Sequence, residues 1–406
     1  GGYMVSGNYN GKKISFVDVG RAVGQVQSGS MTMNECMEIL DCACPGPGAC
    51  PMMGTANTMC IIAEALGMTM PGNSTICARD PKIHDMAYRA GKTVMELWDK
   101  GITARNIITQ DSIENAIMGG STNSLIHVPA MATEAGLDDF DCIGFFDKAS
   151  YAVPLLMGVE PNGPHLMEDF ERAGGLAALF KTIESKIHAD ALTVTGQTLG
   201  QRIQDAKVLD ETVIHPLSDP ISTEGALAVL RGNIAVDGAI VKQSAVPACL
   251  MKFRGPVVVF EDVDDAIAGL REGKIRAGNV VVIRMQGAKG GPGVVTTFPF
   301  TSELAGTPLY DKVALVTDGR FSGEGASIGY VSPEAALMGP LLIVEQGDII
   351  SYDIDKRTIQ LELSDEEIQR RLDKAELNIN YYPGWLGIYQ KAVGSITKGG
   401  VLSGKN

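Results

Sequence analysis

The chain has 406 residues, 45% of them hydrophobic and 20% charged, enough for sizeable cores and, by length, for about two domains. A formal net charge of −14 without any clustered block of Lys and Arg excludes a surface built to grip nucleic acid or an anionic membrane. Apolar runs such as residues 341–344 are too short to cross a bilayer, no signal-peptide pattern opens the chain, and eight scattered cysteines do not form a secreted disulfide framework, so a soluble, reducing, cytoplasmic setting is expected.

The opening GGYMVSGNYNGKK lacks an initiator Met and reads as a strand end at residues 3–6 entering a Gly/Asn turn, so the expectation is a start inside a larger domain. Residues 43–59, ACPGPGACPMMGTANTM, form a loop delivering into a helix over residues 55–67, with Met59, Ile62, Ala63 and Leu66 on one face and Gly67 as its C-terminal cap. Cys42, Cys44 and Cys50 fall close together there, yet their spacing is neither C-x-x-C nor a zinc pattern with paired histidines. Cys50 is nearest the helix N-terminus, where free N–H groups favour a thiolate; it is either a metal or cluster ligand or a buried structural thiol. Cys36, Cys60, Cys77, Cys142 and Cys249 stand singly and are expected to pack, and the five histidines show no ligand spacing. A short helix is expected over residues 111–118, broken by Gly119-Gly120-Ser121-Thr122-Asn123.

Near residue 210 the character changes to short β-rich runs, at residues 257–260, 280–284 and 313–317, separated by Gly/Pro turns. Asp262 is placed to cap a helix whose Val263, Ala266, Ile267 and Leu270 share a face. Ser332-Pro333-Glu334 is read as another helix start, and Ser364 with Glu367 as a capping box. The run Gly287-Ala288-Lys289-Gly290-Gly291-Pro292-Gly293 resembles a phosphate-cradling loop only loosely, since it misses the P-loop spacing, and reads at least as well as a backbone turn packed close to a site. Thr317-Asp318-Gly319-Arg320-Phe321-Ser322-Gly323 follows an apolar strand and puts an acid, a guanidinium and a hydroxyl at its tip, either as a ligand site or as a polar turn with Asp318 paired to Arg320.

Together, ACPGPGAC…GTANTM, EALGMTMPGNS, GGSTN, LTVTGQTL, HPLSDPI, the KGGPG turn, TDGRFSG and VSPEAA resemble, in order and over nearly the whole chain, the dihydroxy-acid and sugar-acid dehydratase family. The resemblance implies an α/β fold: an incomplete three-layer α/β domain over residues 1–211, then a β-barrel-like domain over residues 212–406. It implies a hydro-lyase that converts a 2,3-dihydroxy carboxylic acid to a 2-keto acid, in branched-chain amino-acid biosynthesis or on a sugar acid, as a homodimer or homotetramer. Cys50 matches a ligand of an iron–sulfur cluster, [2Fe-2S] or [4Fe-4S], whose iron acts on the C3 hydroxyl. Mg²⁺ holds the carboxylate and C2 oxygen, Ser322 is the base at C2, and Asp318, Arg320, Gly323, Ser121 and Thr122 contact substrate.

Four departures follow from the same match. The family's other two cluster cysteines and its Cys-Asp-Lys magnesium motif are expected upstream of residue 1. A glutamate ligand to magnesium is replaced by Thr296, a neutral and poorer donor to a hard cation. The loop after Ser322 is about two residues shorter, and the histidine before VSPEAA is Tyr330. A catalytically impaired relative acting as a binding or structural protein is the alternative, and a purely zinc-binding loop has only one well-placed ligand.

Overall fold

A computed structural model describes residues 2–120, 122–321 and 325–402. The chain divides into two compact units, one of Gly1–Asp18 with Met37–Ala226, the other of Val19–Cys36 with Leu227–Asn406. Among the described residues no helix is long and apolar enough to cross a membrane.

The first unit is mostly helical. Its hairpin, β1 (Gly7–Tyr9) and β2 (Lys12–Ile14), turns at Asn10-Gly11, both of which have positive φ. Helices α1 (Phe16–Gln27) and α2 (Met33–Ala43) carry the chain through the segment that belongs to the second unit and back. Helix α3 (Thr55–Ala65) buries Asn57, Thr58, Ile61, Ile62, Glu64 and Ala65. Gly67, at φ 76°, ends it in the left-handed conformation expected of a glycine cap. Then come α4 (Lys82–Asp99), α5 (Ala104–Ile107), α6 (Gln110–Met118), α7 (Ser124–Glu134), α8 (Cys142–Ala152), α9 (Met167–Arg172), α10 (Gly175–Thr182) and α11 (Leu199–Ile203). Glu64 is the polar anchor of this unit: its buried carboxylate accepts from Gly72 N (2.7 Å) and Ser74 N (2.8 Å), fixing the PGNS turn against α3.

The second unit is a closed barrel of eight strands: β3 (Ala228–Gly232), β4 (Ala235–Val241), β5 (Lys252–Phe260), β6 (Val280–Ile283), β7 (Ala314–Thr317), β8 (Ala326–Ser332), β9 (Ile349–Asp353) and β10 (Thr358–Leu361). Around the barrel the order is β10-β3-β4-β8-β7-β6-β5-β9, and β5, β6, β7 and β8 run parallel. Parallel neighbours need crossovers, and here these include α12 (Val263–Arg271) and α13 (Phe298–Ala305). The sequence of β6, Val-Val-Val-Ile, is apolar throughout because both of its faces are buried. Val280 and Val282 join a cluster fed by all eight strands, whereas Val281 and Ile283 pack with Val263, Ala266, Leu270, Phe300 and Leu304 of the two helices. The Asp262 side chain accepts from Asp265 N at 2.8 Å and starts α12 as expected.

The segment from the early chain packs on α13. A Cβ at Gly20 would collide with the Ser302 side chain, and one at Gly24 with Glu303 O and Gly306; only hydrogen in place of a side chain allows α1 this approach. Ser28 Oγ adds a hydrogen bond to Gly306 O (3.3 Å).

Three local expectations are corrected. No α-helix begins at Ser332: this residue closes β8, Glu334 is extended at φ −66° and ψ 158°, and a single 3₁₀ turn follows, because the Glu334 carboxylate is drawn inward rather than left at a helix end. At α14 (Asp365–Lys374) Ser364 Oγ accepts from Glu367 N, but the Glu367 carboxylate goes to Arg370 and Arg371 instead of back to the cap. Cys249 is exposed rather than packed, its thiol directed at Asp311 O (3.5 Å).

Candidate active site

In the barrel unit, the strands β6 and β7 end side by side, at Ile283 and Thr317, and both are followed by irregular chain; polar groups gather at such carboxyl ends of parallel strands. Asp318 sits there with no exposed surface. Its carboxylate accepts from Met285 N (3.2 Å), Gln286 N (2.9 Å) and Ala335 N (2.9 Å), tying three segments together. Burial pushes its pKa up to about 6, against the pull of those N–H groups. Asp318 therefore spends its oxygens on the backbone of residues 285, 286 and 335, not on Arg320.

Glu334 is its buried neighbour, 2% exposed. One oxygen accepts from Lys289 N (2.8 Å); the other, Oε2, has no partner among the described residues and occupies the space a Cβ on Gly287 would need. Burial first, then the Asp318 charge, raise its pKa to about 8. Two carboxylates thus clamp residues 285–289 from inside. Gln390, also fully buried, adds a further tie by donating to Lys289 O (3.1 Å).

Thr296 and Arg320 form a bridge between the two loops: Arg320 N donates to Val295 O (2.8 Å), and Thr297 N donates to Arg320 O (2.7 Å). Both side chains are half-buried. Thr296 Oγ1 accepts from Phe298 N (3.3 Å). The structure thus brings Thr296, Asp318 and Arg320 together; Ser322, Gly323 and Ser121 lie outside the described residues. Phe321 is buried, and its ring lies 5.8 Å from that of Tyr330.

In the helical unit, the cysteine loop is held by backbone bonds from Met4 N to Ala49 O (2.6 Å) and from Ala49 N to Gly2 O (2.9 Å). The Asn57 amide reaches back from α3 to the carbonyls of Cys50 and Met52. Cys50 is half-buried, and its sulfur receives backbone N–H groups of Met52 and Phe16. Burial outweighs these bonds, and the nearby Glu160 carboxylate adds to it, so the thiol is pushed up. The helix-terminus stabilisation expected of Cys50 is overturned on that account: Gly54 caps α3, and the thiol lies four residues before it. Thr122 is buried, and Asn123 Oδ1 accepts from Thr55 Oγ1 (2.9 Å), so the GGSTN turn is fastened to the first turn of α3.

Two N–H donors on a sulfur suit a cluster thiolate. Cys50 is nonetheless one ligand and not a set: among the described residues no three His, Cys, Asp or Glu side chains converge as a metal site. Thr296 offers magnesium a single neutral hydroxyl. The residues described here do not by themselves make either metal site.

Sequence reasoning missed Glu334 and Gln390. An acid inside the otherwise apolar run around residues 328–337 is the signal that could have marked Glu334, since a buried carboxylate is kept only where it is bonded.

Comparison with known proteins bears on both units. The family model described as dihydroxy-acid/6-phosphogluconate dehydratase N-terminal matches residues 1–202, and its C-terminal counterpart matches residues 212–400. Similar proteins include the dihydroxy-acid dehydratases of Methanothermobacter thermautotrophicus, 42% identical over 410 residues, and of Halothermothrix orenii, 42% identical over 412; each alignment covers 99% of this chain and 74% of the relative. That of Acetivibrio thermocellus is 44% identical over 416 residues, covering 100% of this chain and 74% of the relative.

Proposed function

The chain belongs to the dihydroxy-acid/6-phosphogluconate dehydratase family, and from that premise we propose that it is a hydro-lyase converting a 2,3-dihydroxy carboxylic acid to a 2-keto acid. The observation that carries this reading is the likeness, 42–44% identical over 99–100% of the chain, to proteins named dihydroxy-acid dehydratase. The non-catalytic alternative draws no support from such relatives. Within the same proposal belong a branched-chain acid as substrate, a cytoplasmic homodimer or homotetramer, and a three-layer arrangement for the first domain, with residues 1–211 and 212–406 as its two parts.

Cys50 would be one of the residues holding an iron–sulfur cluster, which with a magnesium ion would supply Lewis-acid chemistry to the reaction. The chain's own side chains do the rest. Arg320 pairs with the carboxylate, while Gly323, Ser121 and Thr122 line the substrate. Ser322, deprotonated, accepts the C2 proton. The C2–H electron pair forms the C2=C3 bond of an enol as the C3–O bond breaks, and the departing hydroxide takes the proton from Ser322 and leaves as water; the enol then gains a proton at C3 and loses one from its oxygen to become the keto acid. Asp318 and Glu334 hold the glycine-rich turn beside Arg320, so the anion meets a fixed backbone rather than one that must reorganise.

Release of 2-keto acid from a panel of branched and sugar-derived 2,3-dihydroxy acids tests the reading in the full-length, anaerobically prepared protein. Ser322→Ala should abolish turnover while leaving substrate binding largely intact, because the hydroxyl matters in the transition state. Thr296→Glu should tighten magnesium binding. A Ser322→Ala protein of normal rate, or a wild type inert towards every acid, would refute the proposal.

A further inference from the structure

Strand β8 carries an irregularity that the mechanism above does not use. Its pairing with β4 steps from Gly238↔Ser332 to Ile240↔Gly329, so three steps on β8 oppose two on β4: a bulge at residues 330–331. Tyr330 has φ 53°, a left-handed conformation uncommon for an aromatic residue. Its side chain is 4% exposed, and its Oη is buried with no hydrogen-bond partner among the described residues. The residue lies against the strand-tip segment: Tyr330 N donates to Gly319 O (2.9 Å), its ring tilts on Phe321, and the Arg320 charge reaches the phenol. Burial holds the phenol well above its usual range, so the hydroxyl keeps its proton and remains a donor.

Two features here work against stability, a buried hydroxyl without an acceptor and a left-handed aromatic. Phe at this position would remove the first and Gly the second. Bulges serve to re-aim a side chain next to a site, and backbone outliers gather there. Resting on the proposed dehydratase function, we infer that Tyr330 is a substrate-contacting, specificity-determining residue whose hydroxyl donates a hydrogen bond to an oxygen of the bound dihydroxy acid, beside Arg320. An acid lacking that oxygen leaves the hydroxyl unpaired and is selected against.

The test compares wild type, Tyr330→Phe and Tyr330→His in the full-length protein with its metals, using 2,3-dihydroxy-3-methylbutanoate and the corresponding 2-keto acid as probes. Melting temperature, KM, kcat and keto-acid affinity by calorimetry are measured. Tyr330→Phe should melt at or above the wild-type temperature, yet show KM and keto-acid Kd raised by about tenfold or more. Tyr330→His, which restores an N–H donor, should recover part of that loss. Tyr330→Phe with KM, kcat and Kd within about twofold of wild type would overturn the inference, as would a Tyr330→Phe protein that fails to fold, since the hydroxyl would then serve the fold. A wild type that neither binds nor dehydrates any acid in the panel removes the proposed function and this inference together; an active wild type with an unaffected Tyr330→Phe removes only the inference.

Discussion

Replacing Asp318 by Asn tests the balance struck at the strand tips. In the folded protein burial lifts this carboxyl from the ordinary 3.8 to about 6, in spite of three backbone donors. At ~1.4 kcal/mol per tenfold change in proton affinity, that displacement corresponds to about 3 kcal/mol. The folded-state pKa is the raised one, so protonation favours the fold. The contribution is fully present below pH 4 and is lost as pH rises through about 6. Asn exchanges no proton, and groups that do not feel the Asp318 charge titrate alike in both proteins. The stability of the wild type minus that of Asp318→Asn should therefore fall by roughly 2 to 2.5 kcal/mol between pH 4 and pH 7. Glu334, whose rise the Asp318 charge adds to, stays protonated in the folded wild type up to about 8, so ending at pH 7 limits its share of the difference. Urea unfolding followed by circular dichroism at half-unit pH steps measures the difference. If it is flat, the backbone donors cancel the cost of burial and the account of this clamp is wrong.

Gly287→Ala should lower the melting temperature, because the added Cβ meets Glu334 Oε2; overpacking of this kind costs ~1–3 kcal/mol, and a scanning calorimetry trace identical to wild type would contradict it. Arg271→Ala removes the partner of the buried Glu303 carboxylate, bonded at 2.8 and 2.7 Å; since Arg271 is half exposed and screened, a loss of about 1–2 kcal/mol is expected in denaturant unfolding, smaller for Arg271→Lys. Cys50→Ser in the full-length protein should sharply reduce iron and sulfide content after anaerobic purification, and unchanged content would remove Cys50 from the cluster.

The parts of the fold legible in the sequence are those where one local signal acts alone. Asp262 caps α12 because its side chain needs only a donor three residues on, and the all-apolar β6 announces burial on both faces. Closure of the barrel was less visible. Strands β9 and β10 are five and four residues long, with alternating burial, and gain their meaning from β5 and β3, which lie about a hundred residues earlier in the chain. At the site, Asp318 and Arg320 were found through their motif, but the use of Asp318 was not. A carboxylate bonded to the backbone of residues 285, 286 and 335 looks, in sequence, the same as one facing a ligand. Glu334 was misread because Ser-Pro-Glu is a good helix start wherever nothing pulls the acid inward.

The helix that begins at Phe16 has a consequence for how the protein is made. Residues 19–36 belong with a barrel whose first strand starts at Ala228, and their contacts on α13 lie near residues 302–306. At ~5–20 residues per second of translation, this segment waits roughly 15 to 55 seconds on the ribosome for the surface it covers. Through that interval the close-approach face of Gly20 and Gly24 has nothing to rest on, and the helical unit is synthesised in the middle of the wait. A nascent chain stalled just after residue 226 should therefore be a better client for a holding chaperone than its helical unit alone would suggest, and release should follow emergence of α13.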